Sequence, residues 1–359
     1  MSLTQIKTSN IDNSGSGLNF RNRIINGDMR IDQRNAGASV TPTDGQYTLD
    51  RYQASLNVPS KFSIQRSTVA PSGFVNSLLV TSLSAYSLGA GEVTGVVQKV
   101  EGFNVADLGW GTANARTITL SFWVRSSLTG TFGGSFRNGA ANRSYPFAYT
   151  ISTADTWEQK SVTLAGDTSG SWLTDNGVGV QLYFAFGAGA TYSGTAGSWQ
   201  AGNFISATGA TSVVGTSGAT FYITGVQLEE GTSATAFERR PYGTELALCQ
   251  RYYETSYYNA VAPSVGTSGA HIFYPHATTS YASTNVFWAV SKRTQPTMTV
   301  YSGFTGLNSG KIGNYDNGTT EYNAGASPRG IHSGFVYVSN ASVSQSVGLG
   351  FQWIVSAEL

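Results

Sequence analysis

Cys249 is the only cysteine of the 359-residue chain, and His271, His276 and His332 are its only histidines. A nucleophilic thiol needs a nearby base and surroundings that favour the thiolate. Arg251 supplies a positive charge two residues on, but no histidine shares the segment. A buried cysteine at a junction is therefore the plainer reading. His271 and His276 are five residues apart and fall on opposite faces of any regular strand, so they make poor joint metal ligands. Carboxylate pairs hydrolyse glycosides only at a set distance in space, which a sequence spacing such as Asp155 to Glu158 does not reveal. No phosphate loop or nucleophile elbow is present. The residues point to no enzyme.

A second kind of chemistry is recognition. Tyr301, Phe304, Tyr315 and Tyr322 stand in or beside the loop-rich stretch "YSGFTGLNSGKIGNYDNGTTEYNAGASPRG", with Lys311 among them. Loops on a rigid β scaffold are where binding residues collect. An aromatic ring offers an apolar face to sugar C–H groups, and Lys311 with its Asn and Asp neighbours offers directional contacts to hydroxyls. The same rings would also fill an interface between three copies of the chain.

The elements that must position these residues are strands. Charged residues make up only 11% of the chain against about 25% in ordinary soluble proteins, while aromatics reach 12%. Gly, Thr, Ser, Tyr and Val favour strands and tight turns, and dense runs of helix formers are missing. In "TITLSFWVRS", Ile118, Leu120, Phe122 and Val124 share one parity, the mark of a strand with one face in a core. "QLYFAF" puts Leu182, Phe184 and Phe186 on one face and Tyr183 on the other. Some eight to ten such runs over residues 20–240 predict a jelly-roll β-sandwich, and no fixed repeat argues for a propeller or solenoid. A second β-sandwich is expected over 257–359. Between them "FERRPYGTELALCQRYYE" holds six charges; Pro241 ends the ladder, and a short helix capped by Thr244 is expected to start at Glu245. The charges of this junction, residues 241–256, are read as interdomain or intersubunit salt bridges.

Residues 1–19 are polar, with Ile6, Ile11 and Leu18 too sparse for a core, and read equally as an arm that orders on a partner or as a frayed tail. A net charge of +1 gives no support for nucleic acid or an anionic membrane, and no apolar run approaches the ~18 residues of a membrane span. One cysteine excludes an intrachain disulfide, and the N-terminus lacks an apolar secretory region, so the expected place of synthesis is a cytoplasm.

Several motifs in order, "NFRNRIINGDMRIDQRNAG", "YTLDRY", "TLSFWVRSSLTGTF", "GVQLEEGTSATAFERRP" and "ELALCQRYYE", resemble bacteriophage tail-fibre and related virion fibre proteins over residues 19–254. The first part is also similar to the jelly roll of carbohydrate-binding modules. The resemblance implies a homotrimeric virion protein, assembled in the host cytoplasm, with the arm on the particle and the C-terminal domain on a host-surface glycan. Its partners would then be itself and other virion proteins of tail, adaptor or capsid. A head decoration or collar fibre, a free carbohydrate-binding protein and a glycan-degrading enzyme are the alternatives. No cofactor is expected beyond the structural calcium that such modules often hold. Asn26, Asp28, Glu229 and Glu230 would supply oxygen ligands for it where the ends of the jelly roll meet, with a hydrogen-bonded turn beside an acidic edge as the plainer alternative.

Overall fold

A computed structural model describes residues 20–257, 271–275, 279–304, 309–343 and 347–359. The proposed arm residues Ile6, Ile11 and Leu18, and also His276, lie outside them. The first sandwich opens with β1 (Tyr47–Leu49), β2 (Tyr52–Leu56), β3 (Phe62–Ser67), β4 (Ser77–Ser82) and β5 (Val93–Glu101). It continues with β6 (Ile118–Ser126), β7 (Gly130–Asn138), β8 (Arg143–Ile151), β9 (Glu158–Leu164) and β10 (Val178–Ala188). Three two-residue strands follow, β11 (Ser193–Gly194), β12 (Gln200–Ala201) and β13 (Ser206–Ala207), before the long β14 (Thr220–Glu230).

These strands form a seven-stranded sheet in the order β1-β2-β5-β10-β7-β8-β12 and a five-stranded sheet in the order β3-β4-β14-β6-β9. Successive strands cross between the sheets at β2–β3, β4–β5, β5–β6, β6–β7, β8–β9 and β9–β10, which is jelly-roll winding. Period-two alternation sends Ile118, Leu120, Phe122 and Val124 of one sheet against Phe136, Leu182 and Phe184 of the other, all buried in one core. Residues 22–28 run alongside β14, with the Arg23 and Val226 amides donating to the carbonyls of Leu228 and Gly27 at 2.8 and 2.9 Å. A Cβ at Gly27 would lie 2.2 Å from the Val226 carbonyl oxygen, so only glycine fits there.

The second sandwich comprises β15 (Tyr253–Thr255), β16 (His271–Phe273), β17 (Thr279–Phe287) and β18 (Thr297–Ser302), then β19 (Lys311–Asn314), β20 (Glu321–Pro328), β21 (Ser333–Val343) and β22 (Leu349–Ser356). β15 and β16 pair with one edge of β22, while β18 and β19 pair with the other. β20 pairs with β19 through its first half and with β21 through its second, carrying the chain between layers around a core of Val300, Ile312, Val336, Phe351 and Trp353.

The helix between them, α1, spans Tyr242–Gln250 with Pro241 at its N-cap, so it starts three residues earlier than expected and Thr244 lies inside it. Proline's fixed φ suits a helix start and it has no amide to leave unpaired, which makes the hydroxyl cap unnecessary. Arg240 is buried against Glu238 and Glu245 and donates to the Ile24 carbonyl, and the Glu245 carboxylate receives the Asn26 amide. Arg251 and Tyr252 both grip the buried Glu101, the guanidinium with two bonds of 2.7 and 3.0 Å. Arg51 and Arg34 of the first sandwich meet Glu358 of the second while stacking on Tyr252 and Tyr253 at 3.5 Å. The charges of the joint thus clamp two sandwiches together, as charge-assisted bonds in a low-dielectric seam.

Burial raises the carboxyls of Asp28, Asp50 and Glu245 above their ordinary values. A raised carboxyl favours the protonated form in the folded state, so these groups favour folding increasingly as pH falls from neutrality towards about 4. That share is lost as pH rises through the folded values. Asp50 accepts from both the backbone and side-chain amide of Gln33 at 2.7 Å. Asp50→Asn is expected to reduce the gain in urea midpoint between pH 7 and pH 5, compared with the unmodified chain.

Candidate functional site

The middle of the seven-stranded sheet turns one face to the main core and the other towards a small cluster around Ile205 and Tyr192 that buries Val97 and Tyr183. On that second face Gln53, Val97, Tyr183 and Ser135 stand in register across β2, β5, β10 and β7. The next rung holds Lys99, Gln181 and Arg137. Gln53, Val97, Tyr183, Lys99, Gln181 and Arg137, together with Asp44, line a groove of about 350 Å³. The interleaved Ala54, Val96, Leu182, Phe184 and Phe136 point into the core and fix the strands from beneath.

The polar groups of the groove are oriented by one another. Arg137 donates to the side-chain oxygens of Asn203, Gln181 and Tyr183, the Gln181 bond being 2.7 Å. The Tyr183 hydroxyl donates to Gln181 Oε1 at 3.0 Å, and Gln181 Nε2 donates to the Asn138 carbonyl at 3.1 Å. Lys99 Nζ reaches the Leu359 main-chain oxygen at 2.9 Å. Burial lowers both Arg137 and Lys99, and for Lys99 the nearby Arg51 and Arg137 add to the shift; burial raises the Tyr183 phenol. Such a set can bind a polyhydroxylated ligand edge-on, with fixed donors and acceptors and one aromatic ring.

A more exposed surface lies on the second sandwich. Tyr337 lies flat over Gly325, where a Cβ would sit 2.2 Å from its ring. Tyr281 stacks beside it at 5.7 Å and 23°, Phe335 at 5.3 Å and 29°, and the Arg329 guanidinium covers Phe335 at 4.4 Å. Of the residues expected to bind a receptor, Lys311 lies on the same outward face, its Nζ bonded to Asn323 Oδ1 at 2.6 Å. Phe304 covers Gly313 and touches Tyr315 at 6.0 Å, and Tyr315 is half exposed. Tyr322 instead packs against the second core, because it has the opposite parity on β20. Tyr301 lies apart, partly buried near Tyr253, whose phenol burial pushes up to about 12 with Tyr301 adding to the shift.

The four oxygen donors proposed for calcium are each otherwise engaged. Asn26 bonds the Ile31 and Asp50 carbonyls and the Ile31 amide, and Asp28 pairs with Arg30. Glu229 accepts from Gln227 and Thr235, and Glu230 pairs with Arg116 at the surface. Among the described residues no group of three or more His, Cys, Asp or Glu is placed to hold a metal. Cys249 is fully buried and burial raises its thiol well above the ordinary value; Asp155 faces Arg125 while Glu158 faces Lys160. His271 lies over Phe351, and His332 bonds Ser291. Among the described residues no helix is long and apolar enough to cross a membrane.

The groove residues escape a reading of the sequence because they stand inside apolar runs. The signal that could find them is parity: Arg137 in "GGSFRNG" and Gln181 and Tyr183 in "VQLYFAF" alternate with core residues.

No protein family matches the chain, and no curated protein matches it in sequence. Among solved structures, a bacteriophage CBA120 tailspike, in its enzymatically active domain, matches 58% of this chain at 11% identity and a TM-score of 0.32. This chain spans 21% of that tailspike's length. A protein from Bacteroides thetaiotaomicron VPI-5482 matches 59% of the chain and 100% of its own, at 12% identity and 0.34. A family 11 carbohydrate-binding module from Clostridium thermocellum, in complex with a mixed-linked tetrasaccharide, matches 55% and 98%, at 11% identity and 0.28.

Proposed function

We propose that the chain is a non-enzymatic, glycan-binding fibre protein of a virus particle. The observation that carries the glycan part is the groove of Arg137, Gln181, Tyr183 and Lys99, where fixed donors and acceptors surround a phenol on a rigid sheet. The outward face of the second sandwich, with Tyr281, Phe335, Tyr337, Phe304, Tyr315 and Lys311, supports a further contact with host-surface sugar. The virion part rests on the motifs that resemble tail-fibre proteins, with residues 1–19 as the attachment arm. A trimer would multiply weak sugar contacts through avidity.

On a glycan panel, Gln181→Ala with Tyr183→Ala is expected to lower retention at least tenfold while the melting transition persists. Unchanged retention would remove the groove from the reading. Light scattering on the full chain is expected to give three times the 37.9 kDa of one copy. A monomer would remove the avidity argument.

A further inference from the structure

Four cationic side chains are buried among the described residues: Arg51, Arg137, Arg240 and Lys292. Three of them meet a carboxylate, Arg51 with Glu358, Arg240 with Glu238 and Glu245, and Lys292 with Glu254. Arg137, 9% exposed, does not. Its partners are the neutral oxygens of Asn203, Gln181 and Tyr183 and the Tyr183 ring, over which it lies at 4.6 Å. The one carboxylate lining the groove, Asp44, is exposed and accepts the Leu56 amide at 3.0 Å. A second cation, Lys99, stands on the same rung two strands away, about 10 Å by the usual strand spacing.

A desolvated guanidinium without a counter-charge is costly, and the fold has supplied a carboxylate to every other one it buries. We propose that the missing charge comes from the ligand: the groove takes a glycan bearing an anionic substituent, held by Arg137 with Lys99 beside it. This inference rests on the reading of the groove as a sugar site. The shared chemistry is a negatively charged oxygen group, either the carboxylate of a uronic acid or a sulfate ester. A planar carboxylate suits the guanidinium fork, and in a low-dielectric groove a charge-assisted bond is about twice as strong as a neutral one. Neutral sugars would leave Arg137 as uncompensated as it stands in the free protein.

The test is binding of the full chain to a panel of neutral, uronate-bearing and sulfated oligosaccharides, at low and at high salt. At least tenfold preference for uronate or for sulfated members, weakening as salt rises, is expected, and the preferred class identifies the source of the charge. Arg137→Gln should abolish the preference, and Arg137→Lys, which keeps the charge but loses the fork, should retain part of it. Equal retention of neutral and acidic members would overturn the inference and leave the sugar groove standing. A preference that survives Arg137→Gln would overturn it in the same way. No retention of any member would overturn both.

Discussion

Glu254→Ala is expected to cost about 3–5 kcal/mol of stability, read as a fall in urea midpoint at unchanged slope. The Lys292 ammonium is 0% exposed, and its three donors go to Glu254, to the Gln250 carbonyl at 2.5 Å and to the Val290 carbonyl at 2.9 Å. The other Glu254 oxygen receives the Ala289 amide at 2.9 Å. Alanine would leave a buried cation with two carbonyls and no counter-charge. Burial already lowers the Lys292 amine, and Glu254 is what holds it up. Without Glu254 the folded state would favour the neutral amine more strongly. The variant should then regain more stability than the unmodified chain as pH rises towards the amine's ordinary value of about 10.4. The pair Glu254→Leu with Lys292→Met removes both charges and is expected to lie near the parent. A double variant as damaged as Glu254→Ala would show that the loss is one of packing and not of charge.

The second large effect is in the first core. Phe184→Ala is expected to cost about 3–5 kcal/mol, with Phe184→Leu costing less than about 1.5. Phe184 is 1% exposed and packs edge-on against Phe122 at 5.1 Å and Phe147 at 6.1 Å. Its neighbour Tyr183 faces the groove from the same strand. A cavity beneath β10 therefore acts on both sides of the sheet, and glycan retention should fall with stability in a shared series of Phe184 variants. Retention that holds while the midpoint falls would show that the rungs of the groove are fixed by their own hydrogen bonds.

Both sandwiches are legible in the sequence, because alternation marks a strand that is half in a core. "TITLSFWVRS" and "QLYFAF" lie on β6 and β10 with the expected faces inward. The charged joint is legible as a clamp, since "ERRPYGTELALCQRYYE" has too many ions for a bare loop. Its partners are not: Glu101, Arg51 and Glu358 come from 100 to more than 300 positions apart along the chain, and only the fold joins them. The groove follows the same rule. A strand with polar residues on one parity shows that one face is solvated, but which strands lie side by side decides whether those residues line a site. The placement of Tyr322, one of the residues expected to bind a receptor, is hidden for a related reason. Loop-like composition surrounds Tyr322, yet it lies on β20 and turns inward.

β22 has a consequence for the order of events during synthesis. Four strands, β15, β16, β18 and β19, take their hydrogen bonds from its two edges. β16 and β19 cannot be completed until residues 349–351 have been made, nor β15 and β18 until residue 356. For the hundred or so residues that precede it, translation at ~5–20 residues per second leaves roughly 5–20 s of exposed strand edges. The first sandwich, whose strands are all released by residue 230, can close well before then. It then presents Arg51 and Arg34 as waiting receptors for Glu358. Chaperones, or neighbouring nascent copies of the same chain, would meet the second sandwich in this interval, and the yield of folded protein should respond to translation speed over residues 257–359 more than over any earlier stretch.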